Sequence, residues 1–262
     1  MAKVKEILAF LEGWAPPQMK MDFDNVGLLA GWPDREVKTC VVALDVSDDV
    51  IDEAVSLGAE LIVSHHPLLF SLKAVRADDY TGARVIKLIQ NGVSAICMHT
   101  NLDAAEGGVN DALAKAAGLT DVELLCTDGT LDGVPYCIGR VGRLPCAVSM
   151  AEYLPFLKAS LRSAGLRFHD AGRPVSRVAV LGGSGGSELY KAVAAGADTF
   201  VTADVKYDVF LEAKFLGINL IDADHFCTEN TVVPTLCERL AEAFGDVRFA
   251  VSGTHGQTAD FC

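Results

Sequence analysis

Continuous apolar runs alternate with amphipathic helical patterns along most of the chain. The runs at 40–44, 61–63 and 94–98 are as uniformly hydrophobic as strands that are covered on both faces of a parallel sheet. Apolar residues at three- and four-residue spacing precede and separate these runs, beginning with a helical pattern over residues 4–11. This alternation predicts an α/β fold built on parallel strands.

The second half of the chain repeats this order of elements. Strand patterns occur at 177–181, 199–202 and 218–221, and helical patterns lie between them. The segment GAELIV at 58–63 is also echoed by GADTFV at 196–201. We interpret the repeat as an internal duplication.

The repeat predicts two α/β domains. We place the first over residues 1–127 and the second over residues 128–262, because residues 128–174 are richer in glycine and proline and separate the two sets of strands. A long helical pattern over 233–244 and a strand pattern over 247–251 follow in the second domain.

Composition excludes several classes of partner. The chain has 22 basic and 35 acidic residues and a formal net charge of -13, which opposes binding to nucleic acid or to anionic membranes. The amphipathic start does not resemble a signal peptide, and no run of about 18 apolar residues predicts a membrane span. We therefore expect a soluble protein that binds a small molecule.

The cysteines indicate a reducing compartment. The chain has eight cysteines without any C-x-x-C spacing, and several lie inside apolar runs. This pattern predicts reduced, buried thiols in a cytoplasmic protein rather than a disulfide scaffold or a zinc finger. The residues are Cys40, Cys97, Cys126, Cys137, Cys146, Cys227, Cys237 and Cys262.

Histidines and carboxylates collect just after the predicted strands. His65 and His66 follow the second strand, and Asp103 follows the third. His225 and Glu229 follow the last strand of the repeat. Ligands of open α/β sheets bind at this carboxyl edge, where the loops form a cleft. Imidazole and carboxylate groups suit Zn, Fe, Mn or Ni, and a carboxylate can bridge two ions about 3.5 to 4 Å apart, so the pattern indicates a dinuclear metal site.

Other polar residues lie near the same predicted edge. We take His99, Lys206 and Asp45, together with Glu229, as candidates for proton transfer or for orienting the ligands, because each follows a strand. Asp204 and Asp224 also lie near this edge.

Each candidate ligand also has a purely structural interpretation. Asp103 could cap the helix that opens at Gly107, and Glu229 could complement a helix N-terminus. His225 could be a buried histidine whose hydrogen bonds are satisfied. Asp24 is more simply explained as a cap of its own turn than as a ligand-binding residue.

Two further features have a simpler explanation than a site. Cys227 lies between His225 and Glu229, but a packed thiol is the simpler interpretation than a ligand of a soft metal. The glycine-rich segment 182–186 departs from G-x-G-x-x-G at Glu188, so it indicates a tight turn rather than a phosphate cradle.

Five segments together resemble the NIF3-like family, whose members are also named GTP cyclohydrolase 1 type 2. The resemblance extends over nearly the whole chain and implies a NIF3-like fold with a metal site in the cleft between two α/β domains. It implies that His65, His66, Asp103, His225 and Glu229 bind two divalent transition-metal ions, with Glu229 as the bridge. It also implies a toroidal homohexamer made of two trimers face to face. The segments are DNVGL at 24–28, SHHP at 64–67, HTNLD at 99–103, GGSG at 182–185 and DADHFCTE at 222–229.

The chain departs from the family pattern at two positions and lacks one domain. Asp208 stands where the family usually has a histidine, and Asp224 stands where glycine is usual. The extra domain that longer members carry between the halves is absent, so the chain resembles the short form.

The resemblance implies two functional hypotheses. The first is a metal-dependent hydrolase that opens the imidazole ring of GTP or a related purine nucleotide. The second is a ring-shaped metal-binding or regulatory interaction protein without turnover. Under the first hypothesis the partner is a small-molecule substrate, and neither hypothesis requires a membrane or nucleic acid.

Overall fold

The computed structural model describes residues 1–260 as helices, strands and connecting loops. In chain order the elements are α1 (Val4–Trp14), β1 (Gly27–Ala30), β2 (Thr39–Ala43), α2 (Asp48–Ser56), β3 (Leu61–Ser64), α3 (Tyr80–Asn91), β4 (Ser94–Cys97), α4 (Thr100–Ala104), α5 (Val109–Ala116), β5 (Thr120–Leu124), β6 (Gly129–Leu131), β7 (Val134–Tyr136), β8 (Arg140–Val148), α6 (Met150–Ser160), β9 (Arg167–His169), β10 (Val175–Val180), α7 (Leu189–Ala194), β11 (Thr199–Thr202), α8 (Tyr207–Leu216), β12 (Asn219–Asp222), α9 (His225–Glu229), α10 (Val232–Ala243) and β13 (Arg248–Val251).

The chain forms two compact units whose boundary differs from the sequence prediction. The first unit contains Met1–Leu102 and Val233–Gly256, and the second contains Asp103–Val232 with the described residues that follow Gly256. The prediction placed the boundary at residues 127/128 and assigned Asp103 to the first domain and residues 233–256 to the second. The reason for the difference is β13, which pairs in parallel with β2 and so returns the C-terminal segment to the first unit.

The first unit contains a five-stranded sheet in the order β1-β4-β3-β2-β13. Strands β2, β3 and β4 are parallel and almost completely buried, as their continuous apolar runs predict, whereas β1 is antiparallel to β4. The Ser47 side chain caps α2 by accepting a hydrogen bond from the Val50 amide at 3.3 Å. Val50, Ile51 and Ala54 of this helix belong to the core beneath the sheet.

The second unit contains a six-stranded sheet in the order β5-β8-β10-β11-β12-β9. Strands β10, β11 and β12 are parallel, and β9 is antiparallel to β12. In both units three successive parallel strands are joined by helices, and the strand before them in the chain pairs antiparallel with the third. This shared order is consistent with the duplication predicted from the sequence.

The segment between the predicted halves holds more structure than its glycine and proline content suggests. Strands β6 and β7 form a hairpin, and β8 pairs antiparallel with both β5 and β10. The hairpin turns at Asp132 and Gly133, whose φ angles of 51° and 81° suit an Asp-Gly type I′ turn. Residues 128–174 therefore belong to the second unit, where β8 and β9 join the six-stranded sheet and β6 and β7 form a separate two-stranded sheet.

The cysteines are less uniformly buried than the sequence predicts. Cys40, Cys97, Cys137 and Cys227 are buried, Cys126 and Cys237 are half-buried, and Cys146 is exposed. Cys262 lies outside the described residues. None of the helices in residues 1–260 combines the length and the apolar content that a membrane-spanning segment requires.

Candidate metal-binding residues

Three histidines of the first unit lie at the carboxyl ends of neighbouring strands. His65 and His66 follow β3, and His99 follows β4, which is paired in parallel with β3. The ring centroid of His65 lies 5.1 Å from that of His66 and 5.2 Å from that of His99. One ring nitrogen of each lies within 4.8 Å of the other two, which is close enough for the histidines to act on a shared ligand. All three histidines thus lie at the carboxyl edge of this sheet.

In His65 and His66, an oxygen atom within hydrogen-bond distance of Nδ1 orients the imidazole ring. His65 Nδ1 lies 2.9 Å from the carbonyl oxygen of Met98, which can only accept a hydrogen bond. His66 Nδ1 lies 2.7 Å from Asp45 Oδ1. A donated Nδ1–H leaves Nε2 of the neutral ring with a lone pair, which is the form that binds metals.

His99 is oriented in the same way by Asp24, a residue that the sequence suggested only as a turn cap. Asp24 Oδ1 lies 2.8 Å from His99 Nδ1, while Oδ2 accepts hydrogen bonds from the amide and the hydroxyl of Thr100. Asp24 Oδ1 also accepts a hydrogen bond from the Asn25 amide. Burial alone would raise the pKa of Asp24, but the hydrogen bonds from His99 and Thr100 outweigh it and hold this pKa far below its ordinary value. Asp24 is therefore an ionised, buried carboxylate.

The second unit contributes the other predicted ligands. Asp103 lies in α4 and is buried, and His225 and Glu229 are the first and last residues of α9. Asp103 does not cap α5, because the N-cap is Gly108 and the Gly107 amide donates to Asp111. Nor is His225 a core histidine, since its side chain is 36% exposed.

His225 and Glu229 are spaced like two ligands of one ion. His225 Nδ1 lies 2.7 Å from Asp204 Oδ2, and its Nε2 lies 3.1 Å from Glu229 Oε2. Two ligands that each bind an ion at about 2.1 Å are separated by about 3.0 to 3.4 Å in octahedral or tetrahedral geometry. The donor atoms of this unit therefore fit a transition-metal ion.

The glycine-rich loop at 182–186 supports Glu229 rather than forming a phosphate cradle. Its amides at Gly182, Gly183 and Gly185 donate to side chains of the same unit at 2.8 to 3.0 Å. Gly183 has a φ of +66°, and a Cβ atom added there would lie 2.1 Å from Glu229 Oε1. The loop thus needs glycine at 183 because the Glu229 carboxylate lies directly against its backbone.

Asp224 occupies a backbone conformation that glycine adopts more readily than other residues. Its φ is 75° and its ψ is 135°, a region that residues with a Cβ rarely adopt. The side chain compensates in part by capping α9, since Asp224 Oδ1 accepts a hydrogen bond from the Cys227 amide at 3.0 Å. Burial and the nearby Asp224 carboxylate raise the pKa of Cys227 to about 12, as expected for a packed thiol.

Of the remaining candidates, Asp45 contacts one of the candidate ligands. Asp45 orients His66 as described above. Lys206 is exposed at the N-cap of α8. Asp204, which the sequence named without a role, and Asp24, which it interpreted as a turn cap, each orient a histidine. Their strand-end and turn positions were the only signals available.

Comparison with known proteins finds relatives over nearly the whole chain. Residues 2–257 match the family model of Duf34/NIF3 (NGG1p interacting factor 3). A GTP cyclohydrolase 1 type 2 homolog from Clostridium perfringens is 34% identical over 253 residues, which cover 95% of this chain and 96% of that protein. A GTP cyclohydrolase 1 type 2 homolog from Streptomyces coelicolor is 37% identical over 238 residues, or 87% of this chain and 82% of that protein.

A solved structure shows the same fold. The Bacillus cereus protein related to NIF3 superposes with a TM-score of 0.94 at 26% sequence identity, and the match covers 100% of this chain and 99% of that one. The predicted NIF3-like fold is therefore confirmed. The chain belongs to the DUF34/NIF3 family.

Proposed function

We propose that the protein is a dinuclear metal-dependent hydrolase whose metal ligands are His65, His66, Asp103, His225 and Glu229. The observation that carries this proposal is the orientation of the three histidines. Each has its Nδ1 atom against an oxygen acceptor, namely the Met98 carbonyl, Asp45 or Asp204. Histidines that bind metals are held in this way because the hydrogen bond fixes the ring and increases the basicity of Nε2.

We assign the five ligands to two divalent transition-metal ions. The three histidines and two carboxylates would hold the ions, and Glu229 would be the ligand that both ions share. The mixture of imidazole and carboxylate suits Zn, Fe, Mn or Ni. When bound, such ions supply Lewis acidity and activate water for hydrolysis at neutral pH.

His99 is the residue that we propose for proton transfer. Its Nδ1 lies 2.8 Å from Asp24 Oδ1, a contact that fixes the ring and leaves Nε2 to give or take a proton. Asp45 keeps His66 in the ligating orientation, and Lys206 is a candidate for contacting an anionic group of the substrate. Asp208, in place of the usual family histidine, adds a negative charge to the same helix.

The substrate that we propose is a purine nucleotide, whose imidazole ring would be opened by hydrolysis. The names of the Clostridium and Streptomyces relatives motivate this choice. Two ring contacts in the first unit support it. Phe70 lies beside His99, Phe23 lies beside Phe70, and both phenylalanine rings are exposed. Phe70 lies 5.8 Å from His99, and Phe23 lies 6.2 Å from Phe70. Such rings offer apolar contact to a planar base.

Incubation of the metal-loaded protein with a panel of nucleotides tests this function. We expect GTP or a related purine nucleotide to release formate, because one water opens the ring to an N-formyl group and a second water hydrolyses this formamide. The activity should disappear with a chelator and return with one added metal. A protein that holds two metals but releases no formate from any member of the panel would contradict the hydrolase proposal.

Asp204→Asn should weaken metal binding about 10- to 100-fold, the usual effect of losing a carboxylate that orients a ligating histidine. Asparagine tolerates the positive φ of 51° at this position, so the backbone should keep its conformation. The affinity is measured by competition with a chromophoric chelator. Asp208→Asn is the control, since it removes the same charge from an exposed residue of α8; equal weakening in both variants would contradict a specific role for Asp204.

The second candidate function is a hexameric metal-binding or regulatory interaction protein of the cytoplasm. The outer face of α8 favours it, because Tyr207, Leu211 and Phe215 are 76%, 51% and 87% exposed. Exposed apolar side chains at helical spacing are typical of interaction surfaces. We propose that this face contributes to a toroidal homohexamer, an assembly that is compatible with either function. Nucleotide binding without product would favour this second candidate.

A further inference from the structure

A pair of thiols lies in the second unit among residues that the proposed metal site does not use. Cys126 Sγ and Cys137 Sγ are 3.2 Å apart, whereas the bond length of a disulfide is about 2.05 Å. Closure therefore requires the sulfur atoms to approach by about 1.2 Å. Cys137 is buried, and Cys126 is half-buried. One sulfur of the pair is thus accessible to a reagent from solvent, and the other is protected.

The backbone holds the two cysteines opposite each other at the base of the β6–β7 hairpin. On one side of the pair, the Leu125 amide donates to the Gly139 carbonyl at 3.1 Å. On the other side, the Asp128 amide donates to the Tyr136 carbonyl at 2.9 Å. These two hydrogen bonds fix the separation of the strands, so the thiols remain adjacent without any covalent link.

Cys137 is held more firmly than Cys126. The buried guanidinium of Arg140 donates to the Cys137 carbonyl at 2.7 Å and is itself paired with Asp111. The Gly139 amide donates to Cys137 Sγ at 3.4 Å. Because Cys137 is fixed and protected, Cys126 is the sulfur that meets an oxidant and moves to close the bond.

We propose that Cys126 and Cys137 are a reversible redox pair that a low-molecular-weight disulfide converts into an intramolecular disulfide. The Cys126 thiolate attacks one sulfur of the oxidant and releases one thiol, which leaves a mixed disulfide on Cys126. The Cys137 thiolate then attacks Cys126 Sγ and releases the second thiol. Two protein thiols lose two electrons and two protons, and the oxidant gains both.

The surroundings make this exchange slow near neutral pH. Burial, the neighbouring Cys137 thiol and Asp128 raise the pKa of Cys126 to about 12. Only the thiolate reacts. As long as the pH is below that pKa, the rate should therefore increase about tenfold for each unit by which the pH is raised. Asp128 is paired with Lys191 at 2.9 Å, which limits its repulsion of the thiolate. The pair therefore responds to sustained rather than brief oxidation.

Peptide mapping after treatment with oxidised glutathione tests the proposal. The protein carries Cys146→Ser to remove the exposed thiol. It is incubated at several pH values, quenched with acid, unfolded and alkylated. We expect a peptide that links Cys126 to Cys137, a loss of two alkylated thiols and faster formation at higher pH. Dithiothreitol should restore both thiols.

Two single variants separate the steps. Cys137→Ser should stop at a glutathione adduct on Cys126, and Cys126→Ser should leave Cys137 unmodified. The proposal is overturned if the parent protein accumulates the adduct without the link, or if Cys126 joins another cysteine. It is also overturned if both thiols resist the oxidant but bind cadmium, which would make the cluster with Asp128 a metal site. The map of the parent protein decides the question even if a variant does not fold.

Discussion

Glu229→Gln should reduce the bound metal from about two ions per chain to fewer than one. Glutamine has nearly the same shape as glutamate, so the packing of the buried side chain should be kept while the charge that a bridging ligand needs is lost. Without that charge the ions would share no anionic ligand, and we expect the affinity to fall at least about 100-fold. Elemental analysis after gel filtration measures the change, and formate release should fall in parallel.

Glu242→Gln is the matched control for this variant. Glu242 is exposed near the end of α10, and its replacement removes the same charge. It should bind as much metal as the parent protein. A Glu229→Gln protein that retains its full metal content and activity would remove Glu229 from the ligand set and end the proposed mechanism.

Gly183→Ala should weaken metal binding, and it should lower the free energy of unfolding little more than a comparable glycine replacement does. The new Cβ would lie 2.1 Å from Glu229 Oε1 and 3.3 Å from His225 Cε1. The carboxylate is the far end of a flexible side chain, so it can move aside, but it then leaves its position beside His225. We expect the metal affinity to fall at least about tenfold.

Gly196→Ala isolates the backbone contribution to this result. Gly196 has a φ of +73°, close to the +66° of Gly183, and no atom lies within 4 Å of its added Cβ. Both variants should lose about 1 to 2 kcal/mol of unfolding free energy from the left-handed conformation, measured by urea denaturation of the metal-free protein. Only Gly183→Ala should lose metal. Equal metal binding by both variants would mean that Glu229 does not need its observed position.

The sequence predicted the parallel strands because their environment is uniform. Strands β2, β3 and β4 are buried along nearly their whole length, so all but one position of each is apolar and the pattern is nearly continuous. Strand β5 was missed because four of its five residues are exposed, which leaves no hydrophobic period to detect. Strand β8 was missed because its burial is mixed and it contains a proline.

The candidate site was predictable only in part. The histidines were found because they follow buried strands, and that position depends on local sequence. The role of Asp24 depends on a contact with His99, which lies 75 residues further along the chain. A turn residue that caps its neighbours and a turn residue that orients a distant histidine have the same local pattern. Only the pairing of β1 with β4 brings the two together.

The position of β13 determines when the first unit can be completed during synthesis. Residues 103–232 of the second unit leave the ribosome before Arg248–Val251, the strand that covers the open edge of β2. Until then β2 presents unpaired backbone groups, which are a template for pairing with another chain. The second unit can therefore fold first, and ribosomes that stall before residue 248 would release chains with an aggregation-prone edge.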